Sequence, residues 1–125
     1  MKTIDWNGDA LFASMVGETF TKITEDDDGV TFETATRKFR MHHHQDCCES
    51  VGLVDTDGNL QDLIGSPILR ASVESEAGDP GKDDCYDSCT WTFYKLATVK
   101  ASVTMRWFGT SNGYYSESVN FDEVT

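Results

Sequence analysis

Most of the chain alternates apolar and polar residues in short runs, the period-two signature of strands with one face covered and one wet. Residues 19–24 and 30–34 read this way, as do 38–42, 50–54 and 68–75. Between the first two, Asp26-Asp27-Asp28-Gly29 predicts a hairpin turn with Gly29 at positive φ. The fourth run is closed by Asp55-Thr56-Asp57-Gly58.

Two segments break the alternation. In residues 8–16, Leu11, Phe12, Met15 and Val16 fall at i, i+1, i+4 and i+5, which predicts a short helix starting near Asp9 and stopped by Gly17. Residues 59–64 predict one helical turn, ended by Gly65 and Pro67.

The last third carries the strongest pattern, in residues 91–97, 102–108 and 114–121. A two-residue Asn112-Gly113 turn would set Met105 against Asn120 and Trp107 against Ser118, mixing apolar and polar side chains on one face. A three-residue loop, 111–113, sets Val103 opposite Phe121 and Met105 opposite Val119 instead. A one-residue slip turns every side chain over, so the pattern predicts a three-stranded meander with Gly113 left-handed. The expected fold is α+β: a mainly antiparallel sheet of six to eight strands, with a short N-terminal helix and one helical turn.

A length of 125 residues suits one domain, 1–125, with a helical segment at 1–17, strands and the helical turn over 18–75, an acidic loop at 76–89 and the meander at 90–122. The hydrophobic fraction is 38%, yet 3 Trp, 7 Phe and 4 Tyr place much of it in large side chains, enough for a core. No run nears the roughly 20 apolar residues that cross a bilayer. The first residues, with Asp5 and no sustained apolar stretch, do not read as an export signal. Four cysteines in such a chain are expected as thiols in a cytosol. Cys47 and Cys48 are neighbours, an unfavourable spacing for a bridge; bridges from them to Cys85 and Cys89 would require export.

Charge narrows the partners. With 22 acidic residues against 10 basic ones, the net charge is −12. Such a surface repels nucleic acid and anionic lipid and attracts basic proteins. Asp26, Asp27, Asp28, Asp83, Asp84, Asp87 and Tyr114 are the candidate interaction surface, either as solubilising charge or as an imitation of nucleic acid.

Candidate chemistry concentrates in residues 42–49, His-His-His-Gln-Asp-Cys-Cys-Glu. On a strand, His42 and His44 would share a face and chelate, and Cys47, Cys85 and Cys89 could add thiolates, so zinc is the alternative cofactor to none. Asp46, Cys47, Cys48 and Glu49 also supply the residue types of a thiol enzyme, but neighbours on a strand point apart, and no catalytic residue is assigned. Residues 55–59 open like a calcium loop, but Leu60 stands where Gly is needed and Ser66 where Glu is needed.

The blocks at 43–51, 62–68, 90–98, 103–109 and 111–119, above all Gln45-Asp46-Cys47-Cys48-Glu49 and Ser111-Asn112-Gly113-Tyr114-Tyr115-Ser116-Glu117, resemble a family of small uncharacterised proteins encoded mainly by bacteriophages. The resemblance covers about residues 30–122 and carries no activity or catalytic residues. It implies a non-enzymatic accessory role in the host cytoplasm. The expected function is binding of a host or defence protein, without direct nucleic-acid or membrane contact. An edge strand offers a route to a homodimer.

Overall fold

The computed structural model describes residues 8–79 and 87–124. Among these residues eight strands form two four-stranded antiparallel sheets. In the first, β1 (Lys22–Asp26), β2 (Gly29–Glu33), β3 (Lys38–His42) and β8 (Asn120–Glu123) lie in that order. In the second, the order is β4 (Ser50–Asp57), β7 (Ser102–Ser111), β6 (Ser88–Ala97) and β5 (Arg70–Ala77). A five-residue helix, α1 (Asp9–Ala13), packs against β5 and β8, and a 3-10 turn (Leu60–Leu63) touches β1 and β7.

The sheets face each other across an aromatic core. Phe32, Phe39, Met41 and Phe121 come from the first and Tyr94, Leu96, Val103, Met105 and Trp107 from the second. The Trp107 indole N–H donates to the Met41 sulfur at 3.2 Å, a direct contact between the sheets. Phe12 of α1 meets Tyr94 and Phe121 with ring centroids 4.8 and 5.2 Å apart, so the helix closes the gap between edge strands β5 and β8. Of the predicted helical face, Phe12 and Met15 are buried, whereas Val16 is exposed.

The period-two alternation is real, but the meander is not. Strand β7 pairs with β6 on one side and with β4 on the other, so no place beside it remains for the final segment. Residues 112–119 instead cross to the first sheet, where Met41 lies opposite Phe121. Val103 and Met105 do not lie beside Phe121 and Val119; all four are buried in the one core that the two sheets share. Gly113 does take positive φ, at 91°.

Gly29 does not. It is paired with Asp26 inside the ladder, leaving Asp27 and Asp28 as the turn. The Asp26 carboxylate accepts the N–H groups of Asp28 and Gly29 and so shapes the turn locally. Glycine is required at 29 for space: a Cβ there would lie 2.0 Å from the Met41 carbonyl oxygen.

Candidate functional site

The chain passes between the sheets twice, through residues 43–49 and through residues 112–119, and one histidine ties the two passages together. His43 Nδ1 lies 2.6 Å from the Ser118 carbonyl oxygen, and its Nε2 lies 2.8 Å from Glu49 Oε2. Each ring nitrogen thus faces an oxygen acceptor. The two side chains are 4% and 0% exposed.

Glu49 organises the first passage. Its Oε2 accepts the Asp46 N–H at 2.9 Å, and its Oε1 accepts the Cys47 N–H at 2.9 Å and the Gln45 amide at 3.2 Å. Gln45 Nε2 also donates to the Glu49 carbonyl at 2.6 Å. The Asp46 N–H, opposed by burial and aided by the Cys47 N–H and His43, holds the Glu49 carboxyl down to about 2. An ionised carboxylate with its lone pairs filled is a poor proton acceptor. This arrangement orders a loop that has no ladder of its own.

That loop overturns the premise that the cysteine and histidine side chains scatter along a strand. Residues 43–49 lie between β3 and β4, outside both. There Cys47 and Cys48 are joined by a disulfide and exposed, contrary to the expected thiols. Cys89, buried on β6, is also disulfide-bonded. Cys85 lies outside the described residues. In this state neither Cys47 nor Cys48 is a nucleophile or a thiolate ligand.

The candidate metal ligands do not converge. His42 Nε2 lies 2.8 Å from Asp122 Oδ2, while His44 is exposed and its backbone N–H donates to Asn120 Oδ1. Among the described residues no three His, Cys, Asp or Glu side chains gather closely enough to hold a metal ion.

The candidate acidic surface divides. Asp26 is engaged with Arg40, which donates to both its oxygens at 2.8 and 2.7 Å. That contact comes first among the causes that lower the Asp26 carboxyl to about 2. Asp27 and Asp28 stand exposed at the hairpin tip, lining an open hollow with His42, His43 and Gln45. Asp87 is exposed on the other side of the 43–49 loop, in a hollow with Cys48, Ser50 and Tyr115. Tyr114 is 84% exposed and meets Tyr115 edge to face at 5.0 Å. Asp83 and Asp84 lie outside the described residues.

Two features escaped sequence reasoning. Glu117 accepts hydrogen bonds from the Ser111 and Thr90 hydroxyls, anchoring the second passage to β6 and β7. Its carbonyl oxygen would lie 2.6 Å from a Cβ at Gly109, so glycine there lets the passage fold onto the strand. The other feature is the outer side of the second sheet, which bears Trp91, Phe93 and Phe108, all half-buried. The run Trp91-Thr92-Phe93-Tyr94 has aromatics at both parities, and that was the available signal.

No helix among the described residues is long and apolar enough to cross a membrane. Comparison with known proteins gave no match among curated proteins and none among solved structures. A family model described as a domain of unknown function, DUF7448, matches residues 13–121.

Proposed function

Because the chain belongs to the DUF7448 family, whose description names no activity, we propose from its own surface that it acts by binding a basic protein partner. The excess of 22 acidic over 10 basic residues carries this reading. The folded arrangement sharpens it: Arg37 is engaged by Glu123 and Glu18, Arg40 by Asp26, and Arg106 by Asp55. Three of the four arginines are thus engaged by carboxylates, while among the described residues Asp27 and Asp28 at the hairpin tip and Asp87 just before β6 form no close ion pair. An excess of one sign on a surface speeds encounter with the opposite sign and repels its own. The accessory role implied by the bacteriophage resemblance fits a protein of this kind, whose target would be a host protein that itself contacts nucleic acid.

The test is fluorescence anisotropy with a labelled peptide of repeating Arg-Gly-Ser, set beside a polyglutamate peptide and duplex DNA. The expected result is binding of the basic peptide alone, weakening as salt rises. Failure of the basic peptide to bind at low salt overturns the reading.

A further inference from the structure

The outer side of the second sheet is built differently from an ordinary solvated face. Register places Phe108 beside Trp91 and Arg106 beside Phe93, and ring centroids lie 4.6 Å apart for Trp91–Phe108 and 6.2 Å for Trp91–Phe93. Polar side chains would ordinarily alternate outward here. An aromatic strip that no described element covers has the composition of a recognition surface.

The strip already holds one cation. The Arg106 guanidinium carbon sits 5.7 Å from the centroid of the Trp91 ring, and both oxygens of Asp55 accept from its N–H groups. Ring and carboxylate together are the two partners that a planar cation uses. Arg106 and Asp55 remain 43% and 45% exposed, so the pair stands at the surface.

Beside it a second aromatic ring and a second carboxylate line one hollow. An open hollow of about 520 Å³ is lined by Phe93, Asp57, Asp55, Thr56, Thr104 and Arg106. Asp55 is matched by Arg106, and Lys95 on the same face is matched by Glu74 at 3.4 Å. Asp57 is exposed and, among the described residues, forms no close ion pair, Arg106 attracting it only from further off, and Glu76, opposite Trp91, is exposed as well. The hollow therefore offers an aromatic ring and two carboxylates against one guanidinium, an excess of one negative charge, with the chain's net charge of −12 behind it. Its complement is a guanidinium or ammonium group on a flexible stem.

From this juxtaposition we infer that the Phe93–Asp57 hollow takes an arginine or lysine side chain of a partner protein, with Trp91 and Phe108 supporting the adjoining apolar contact. This rests on the basic-partner reading and names the surface that performs it. The bases of a nucleic-acid strand would stack on the same rings, but its phosphates would meet Asp57, Asp55 and Glu76 with like charge. The acidic tips at Asp27 and Asp28 then serve long-range attraction and lie outside the contact.

The test measures the Arg-Gly-Ser peptide against the full chain and three variants, Phe93→Leu, Asp57→Asn and the double variant Asp27→Asn/Asp28→Asn. Loss of the ring should weaken binding about tenfold and loss of the Asp57 charge about threefold, with the hairpin variant changing it less than twofold at moderate salt. Amide chemical-shift mapping of the unmodified protein gives the location without relying on any variant folding: the perturbed residues should lie on β4, β6 and β7. A peptide that binds the wild type yet leaves β4, β6 and β7 unshifted, or is weakened mainly by the hairpin variant, overturns this site while leaving basic-partner binding intact. No peptide binding at all removes the broader reading too, and preferential binding of an oligothymidylate strand would assign the strip to single-stranded nucleic acid and overturn both.

Discussion

His43 Nε2 lies 2.8 Å from Glu49 Oε2, and through its other nitrogen His43 holds the Ser118 carbonyl at 2.6 Å. One imidazole thereby joins the loop that leaves the first sheet to the loop that returns to it. Removing the ring leaves a buried carboxylate short of a donor and a buried carbonyl without this partner. His43→Ala should cost about 3 kcal/mol, the scale for leaving a buried carboxylate short of a hydrogen-bond donor. Urea unfolding checks this. A loss below about 0.5 kcal/mol would show that the two passages hold their places without the histidine.

Acid should loosen the same joint. Glu49 is lowered from 4.5 to about 2, first by the Asp46 N–H, and Asp26 is lowered from 3.8 to about 2, first by the hydrogen bond from Arg40. A carboxylate with a depressed folded value stabilises the folded state above its unfolded value and loses that contribution as pH falls through the folded one. Stability should therefore be level above pH about 5 and decline towards pH 2. In Glu49→Gln the decline should be shallower, with Asp26, Asp55 and Glu123, each lowered by its arginine partner, supplying the remainder. An unchanged slope in that variant would exclude Glu49 as a source of the acid sensitivity.

Two glycines on neighbouring strands should respond oppositely to alanine. At Gly109 a Cβ would press on the Glu117 carbonyl at 2.6 Å and a Val51 methyl at 2.9 Å, so Gly109→Ala should destabilise by about 2 kcal/mol. At Gly52 a Cβ meets nothing within 4 Å, and Gly52→Ala should be neutral or stabilise by about 0.5 kcal/mol through the unfolded chain. Thermal melts of the two variants decide it; equal losses would mean that the contact with the Glu117 carbonyl does not matter.

The Cys47–Cys48 disulfide should matter little to stability. It closes almost no chain, so the unfolded ensemble loses little freedom by it. The turn around it is held by Glu49, Gln45 and backbone N–H groups. Cys47→Ser/Cys48→Ser should melt within about 2 °C of the wild type, a fraction of 1 kcal/mol for a domain of this size. A much larger drop would assign the loop's order to sulfur.

Helix α1 should behave as part of the core although only one turn long. Phe12 is fully buried between Tyr94 and Phe121, one residue before the span matched by the family model. Phe12→Ala should cost about 3 kcal/mol or more, read by urea midpoint. A change under about 1 kcal/mol would mean that the helix is an ornament on a self-sufficient pair of sheets.

Local pattern made much of the fold legible. The bounds of β3, the helical turn capped by Asn59, and the inward set Val103, Met105 and Trp107 all follow from alternation and turn chemistry. Alternation tells which side chains face the core, but it does not say which strand lies alongside, because every backbone edge presents the same donors and acceptors. That is why Phe121 was expected beside Val103 and is found beside Met41. Gly29 misled for a related reason: the requirement comes from the Met41 carbonyl, twelve residues on and on another strand. At the candidate site the Gln-Asp-Cys-Cys-Glu block was visible, but its organiser was not. A buried glutamate in a polar run looks like any other charge until the amide groups that enclose it are in place.

The second sheet is built wholly from residues 50–111, inserted between β3 and its neighbour β8. The β1–β2–β3 hairpins can assemble from adjacent segments, but their fourth member is delivered only after the entire insertion has been made. Among the described strand pairings β3–β8 has the greatest sequence separation, and such contacts form late because the intervening loop must first be closed. Until then the Met41 edge of the first sheet is bare, and it is at that stage, before the mature fold exists, that the chain is most open to joining another copy of itself.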